Sequence, residues 1–286
     1  MTCILRVDKG SYQKTDNFHR WVFNTQLPAA QQRSHTIYDP TKSQTFKKLN
    51  GATFSISYGD GSTAQGNVGT DTVDIGGATV QNQAVELATK VSGSFLQDAR
   101  SNGLVGLAFS QLNTVKPQPQ RTFFDNIASQ LDVPVMTASL KSRAVGSYEF
   151  GRIDSTKFTG QMANVSVDKS NGFWQFNSAQ FAVGNGNLQA IQTAPTAIAD
   201  TGTSLMLVSP EVATAYYAQV QGAVLSQQAA GFTFPCDTQL PSLSIAVGDN
   251  NLATLPPAVI NFGVSGANTT TGQLSKFLSW KELVYC

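Results

Sequence analysis

Polar and apolar residues alternate over much of the chain. Thr53-Phe54-Ser55-Ile56-Ser57-Tyr58 alternates and then meets Gly59-Asp60-Gly61-Ser62, which predicts a strand entering a tight turn. Alternation resumes from Asn67 to Ile75 and ends at Gly76-Gly77. Gln83 to Leu87, Ser147 to Ile153, Met162 to Val167, Trp174 to Val183 and Ser242 to Val247 read as further strands. Helical spacing is scarce. Thr122 to Leu131 places Phe123, Ile127 and Leu131 four apart, and Ser209-Pro210-Glu211 opens a second helix with Val212, Tyr216 and Val220 on one face. Strands at this density predict an all-β fold, with a boundary near residue 150 and one helix in each half.

Composition sharpens that picture. Charged residues make up 13% of the 286, about half the usual ~25%, so Ser, Thr, Asn, Gln and Gly must cover the surface. The 24 Gly and 11 Pro suit a fold with many turns. A net charge of +1 supplies no basic field to recruit nucleic acid or an anionic membrane. No apolar run reaches the ~18 residues of a membrane span, and Arg6 and Asp8 interrupt the opening segment too early for a signal peptide. Cys3, Cys236 and Cys286 form neither a disulfide framework nor a metal-ligand spacing, so no metal or cofactor is expected. His19 and His35 are isolated and are expected at the surface. Asn164-Val165-Ser166 and Asn268-Thr269-Thr270 have the form of glycan acceptors.

The segment with the most chemical content is Ala197-Ile198-Ala199-Asp200-Thr201-Gly202-Thr203-Ser204-Leu205. A small apolar strand delivers an Asp to a loop whose backbone N–H groups and hydroxyls can hold a carboxylate in one orientation. Asp-Thr-Gly alone arises by chance in about one of ~30 chains this long, and on its own it also reads as an Asx-turn after a strand. Its setting adds weight. Trp21-Val22-Phe23-Asn24, Tyr38-Asp39-Pro40, Ser57 to Ser62, Asn102 to Phe109 and Gly146 to Asp154 accompany it in order.

Together these segments resemble pepsin-like aspartic proteases of the fungal type, over residues 21 to about 271. The resemblance implies a bilobal fold, with an N-terminal lobe over 1–150 and a C-terminal lobe over 151–286. It implies an extracellular or vacuolar monomeric endopeptidase that hydrolyses peptide or protein substrates at acidic pH. Two aspartates, one per lobe, would share a proton, because neighbouring carboxylates do not both ionise readily. One member activates water and the other donates to the scissile carbonyl. By the same resemblance Asp200 is catalytic, and Tyr58, Gly59 and Asp60 form a hairpin over the substrate. Phe95, Gly202 and Thr203 contact the substrate, and Thr201 and Trp21 orient the site.

Two places depart from the family pattern. The first aspartate should stand seven residues before Trp21, where the chain has Lys14; Asp16 is a substitute two residues late. Gly272 stands where the resemblance implies a cysteine partner for Cys236, which leaves a free thiol or a bridge to Cys286. The resemblance further implies strands missing at both ends. Three readings follow: an acid endopeptidase using Asp16, an inactive relative that binds peptides or proteins, or a truncated gene-model fragment that does not fold stably.

Overall fold

The computed structural model describes residues 4–6, 21–32, 35–141, 144–193, 195–202, 206–226, 231–261, 264–265 and 274–276. The chain divides into two compact units, Met1–Thr159 and Gly160–Cys286.

The first unit is built on a six-stranded sheet. Its strands are β1 (Ile4–Arg6), β2 (Trp21–Val22), β3 (Lys47–Ser57), β4 (Thr63–Ile75), β5 (Ala78–Val91) and β6 (Gly103–Gly106). Their order is β1-β6-β2-β5-β4-β3. The long alternating segments form the antiparallel meander β3-β4-β5, as their pattern requires. The two-residue strand β2 lies between β5, to which it is parallel, and β6, to which it is antiparallel. Its side chains obey the period of two and enter opposite faces. Trp21 joins a cluster with Phe23, Phe54, Ile56, Val68 and Ala88, while Val22 joins Val73, Val85, Leu87, Phe123 and Ile127.

Short helices accompany the sheet, and of the first three only the third buries side chains. The four-residue α1 (Ala29–Gln32) and the five-residue α2 (Gly93–Gln97) are short. The third, α3 (Phe123–Ile127), starts where Thr122 accepts the N–H of Asp125 at 3.2 Å, and Asp125 adds negative charge to the first turn. Only Phe123 and Ile127 of the expected stripe lie in the helix proper, which continues as a tight turn through Gln130. A hairpin of β7 (Met136–Ser139) and β8 (Ser147–Phe150) follows. It stops short of Ile153, because Gly151 turns the backbone to φ +86°.

In the second unit the stretch expected as one strand over Trp174–Val183 is two, β9 (Gln175–Asn177) and β10 (Gln180–Val183). The break occurs because Ser178 N–H bonds Pro195 and Ala179 accepts from Ile191, both outside a single ladder. Next come β11 (Gln189–Ala190), β12 (Thr196–Ile198), β13 (Val224–Ser226), β14 (Gly231–Pro235), β15 (Leu243–Val247), β16 (Asn251–Leu255), β17 (Val264–Ser265) and β18 (Leu274–Lys276). They form sheets β11-β10-β15-β16 and β13-β14-β18-β17 and the pair β12-β9. The helix α4 (Pro210–Tyr217) buries Val212 and Tyr216, with Val220 just beyond, as its spacing predicts. Tyr216 is fully buried and donates its hydroxyl to the Pro241 carbonyl at 2.9 Å. The expected strand over Met162–Val167 does not form: the segment joins no ladder, and most of it is exposed, with Val165 half-buried beside the turn at Gly248. Asn164 is exposed within it, while Asn268 lies outside the described residues.

Candidate active site

The two units each carry part of the expected site. In the second, β12 pairs antiparallel with β9, and Ala199 N–H continues the pairing to Trp174 O at 3.0 Å. Ala197 and Ile198 are buried and anchor the strand. Asp200 follows at its end, half-buried, and its Oδ1 accepts the Gly202 N–H at 2.8 Å. That contact fixes one carboxylate oxygen to the backbone of the Asp-Thr-Gly turn. Thr201 is half-buried beside it and Gly202 is exposed. Thr203 lies outside the described residues, as do Lys14 and Asp16.

In the first unit, β3 and β4 end at the Ser57–Thr63 pair, and the loop between them is a closed turn. Tyr58 N–H bonds Ser62 O at 2.8 Å, Gly61 N–H bonds Tyr58 O at 3.0 Å, and Asp60 Oδ1 accepts Ser62 N–H at 2.8 Å. Gly61 adopts φ +82°, a conformation that a side chain disfavours. Gly59 and Asp60 are exposed at the tip, while Tyr58 folds back, half-buried. Its hydroxyl accepts the indole N–H of Trp21 at 2.9 Å. Phe95, on α2, packs edge-on against both rings, 4.9 Å from Trp21 and 5.6 Å from Tyr58. Trp21, Tyr58 and Phe95, 74 residues apart at the extremes, thus form one aromatic cluster at the hairpin base.

Beneath this cluster the segment after β2 is held by Asn24, which is fully buried and donates to Val22 O and Ala88 O at 3.1 and 2.7 Å. Asp71 on β4 is also buried and gathers four donors: Tyr38 hydroxyl at 2.5 Å, Ser43 hydroxyl at 2.9 Å, the Thr45 hydroxyl and Thr72 N–H at 2.8 Å. Burial pushes its pKa up, but the hydrogen bonds from Thr45, Tyr38, Ser43 and Thr72 outweigh this and hold it below the usual carboxylate range. Burial, and then the bond to Asp71, drives the Tyr38 phenol far above its ordinary value.

A family model for eukaryotic aspartyl proteases matches residues 7–276 of the chain. The chain belongs to this family. It is 61% identical over 253 residues to a protein of Aspergillus fumigatus named as an aspergillopepsin A-like aspartic endopeptidase, covering 88% of this chain and 59% of that one. It is 50% identical to the aspartic protease PEP3 of Coccidioides posadasii, over 94% and 60% of the two chains. Penicillopepsin-1 of Penicillium janthinellum is 47% identical over 87% and 75%. The aspartic proteinase of Irpex lacteus superposes with a TM-score of 0.68 at 20% identity, over 93% of this chain and 76% of that one, which establishes the shared fold. The chain spans about three-fifths of the length of the first two relatives.

Two buried polar residues of the first unit carry no mark in the sequence. His35, expected at the surface, is only 8% exposed and stacks on Phe23 at 3.8 Å. A lone His between Ser34 and Thr36 carries no sequence signal for this; the stack is tertiary. Asp71 was likewise not singled out, because its donors at 38, 43 and 45 converge only through the turn at Pro40–Lys42. Cys236 is exposed just past β14, and the other two cysteines lie outside the described residues. Among the described residues no helix is long and apolar enough to cross a membrane.

Proposed function

We propose that the chain serves as an aspartic-type endopeptidase that hydrolyses peptide bonds in proteins at acidic pH, with Asp200 as a catalytic carboxylate. The observation that supports this reading most directly is the placement of Asp200 after a buried strand, with Oδ1 accepting the N–H of Gly202, inside a chain of this family. An oxygen fixed in that way orients the group, which as a carboxylate polarises water and as a protonated carboxyl donates to a carbonyl. In this reading Tyr58, Gly59, Asp60, Phe95, Gly202 and Thr203 are the residues that contact the peptide. Trp21 and Thr201 hold Tyr58 and Asp200 in place. The protein acts alone, as a monomer with lobes over 1–150 and 151–286, in an extracellular or vacuolar compartment.

One sequence feature favours a second reading, a peptide-binding relative without catalysis. Lys14 stands where the first aspartate belongs, and a cation cannot share a proton with Asp200 as a second carboxyl does. Asp16 is the substitute carboxylate if catalysis persists. Incubation with an unfolded protein at pH 3–5, alongside binding of a statine-type peptide, separates the two. Cleavage supports the endopeptidase, binding alone supports the second reading, and the absence of both contradicts each.

A further inference from the structure

His35 closes a circuit around the aromatic cluster. Its ring lies nearly parallel to Phe23, 11° between planes. Phe23 is 5.6 Å from Trp21, and Trp21 is 4.9 Å from Phe95. From Phe95 the chain leaves α2 and reaches Ser101, whose N–H bonds Asp98 O at 3.0 Å. The Ser101 carbonyl then meets His35 Nδ1 at 2.8 Å, which returns the path to its start. A carbonyl only accepts, so Nδ1 carries the proton and donates.

Two flanking bonds make this a seam rather than a point contact. Thr36 N–H donates to Asn102 Oδ1 at 2.7 Å, and Phe23 N–H donates to Asn102 O at 3.1 Å. Ser101 is itself 2% exposed, and its hydroxyl donates to Gly103 O at 3.1 Å, at the head of β6. The segment 98–102 has no ladder of its own, and α2 is five residues with no buried position. Its placement therefore depends on tertiary ties, among which the His35 bond is buried and shielded from water.

We infer that His35 is a positioning residue that latches the loop 98–102 and, through it, sets the position of Phe95 against Trp21 and Tyr58. The inference rests on the proposed peptide-binding role of Phe95 and names a determinant of which apolar side chain that site accepts. His35 touches no substrate in this account. The ring and the N–H act separately: the ring keeps Phe23 pressed towards Trp21, and the N–H keeps the far end of the loop from swinging out. A shift of Phe95 by a fraction of a ring width changes the room for a large apolar side chain and leaves a small one indifferent.

Two substitutions in the full chain separate these parts. His35→Phe keeps the ring and removes the donor; His35→Asn keeps a donor and removes the ring. Amide hydrogen exchange across 93–102 should rise about tenfold in His35→Phe and less in His35→Asn, with β4 and β5 unchanged. Two statine-type peptides that differ only in a large or small central apolar side chain supply the second readout. His35→Phe should weaken the large one at least about fivefold and leave the small one as before. Unchanged exchange in 93–102, or an equal rise throughout β4 and β5, overturns the latch. Equal weakening of both peptides overturns its role in selection. Binding of neither peptide by the unaltered chain counts against the proposed function, while the exchange result still judges the latch. Should His35→Phe not fold, Asn102→Ala removes the adjoining bond to Thr36 and is read by the same local rise.

Discussion

The indole N–H of Trp21 donates to the Tyr58 hydroxyl at 2.9 Å, which ties the middle of the first sheet to the base of the hairpin turn. Trp21 is fully buried, so its N–H has little access to water in exchange. Tyr58→Phe should therefore cost about 1–3 kcal/mol, the penalty for a buried donor left unmade. A half-exposed turn residue without such a tie costs at most about 0.5 kcal/mol. Equilibrium urea unfolding distinguishes the two values.

Asp71 gives the first unit a pH dependence of known sign. Its folded pKa is lowered by the Thr45, Tyr38, Ser43 and Thr72 bonds against an opposing burial effect. A carboxyl with a folded pKa below its unfolded value of about 3.9 contributes stability above that pH and loses it as pH falls through the folded value. Asp71→Asn should be less stable at pH 6 by about 1–3 kcal/mol, and the gap should narrow below about pH 4. Urea midpoints from pH 2 to 6 check this; a gap that widens in acid contradicts it.

Tyr216 anchors the second unit. Its hydroxyl donates to Pro241 O at 2.9 Å, and burial pushes the phenol up to about 12. Tyr216→Phe should lower stability by about 1 kcal/mol, and Val212→Ala, which opens space beneath α4, should lower it further. Both are read by thermal unfolding.

The meander β3-β4-β5 was legible because its alternation matches a sheet with unlike faces. The Asp200 segment was legible because its motif is local. Strand β2 was harder: Trp21 and Val22 are both buried, one on each face, so no polar residue marks the period. Met162–Val167 shows the reverse error, a strand pattern without a neighbouring strand to complete it. His35 and Asp71 were opaque for a common reason. Each owes its environment to residues tens of positions away, Ser101 for one and Tyr38 for the other.

In the proposed function Lys14, at the place of the first aspartate, lowers the rate of cleavage. General acid–base work is commonly worth about 10²–10⁴-fold per group, so the chain should cleave proteins far more slowly than a relative with an aspartate at that position. Lys14→Asp with Asp16→Gly restores the family triplet and should raise cleavage at pH 3–5. Equal and substantial activity before the change would assign the first carboxylate to Asp16.

The role of Asp200 is tested most directly by cleavage of an unfolded protein at pH 3–5 by the Lys14→Asp, Asp16→Gly chain, with and without Asp200→Asn. The account predicts cleavage by the first, blocked by a statine-type peptide, and its loss by at least about 10²-fold with Asp200→Asn at unchanged thermal stability. Cleavage that survives Asp200→Asn would contradict it.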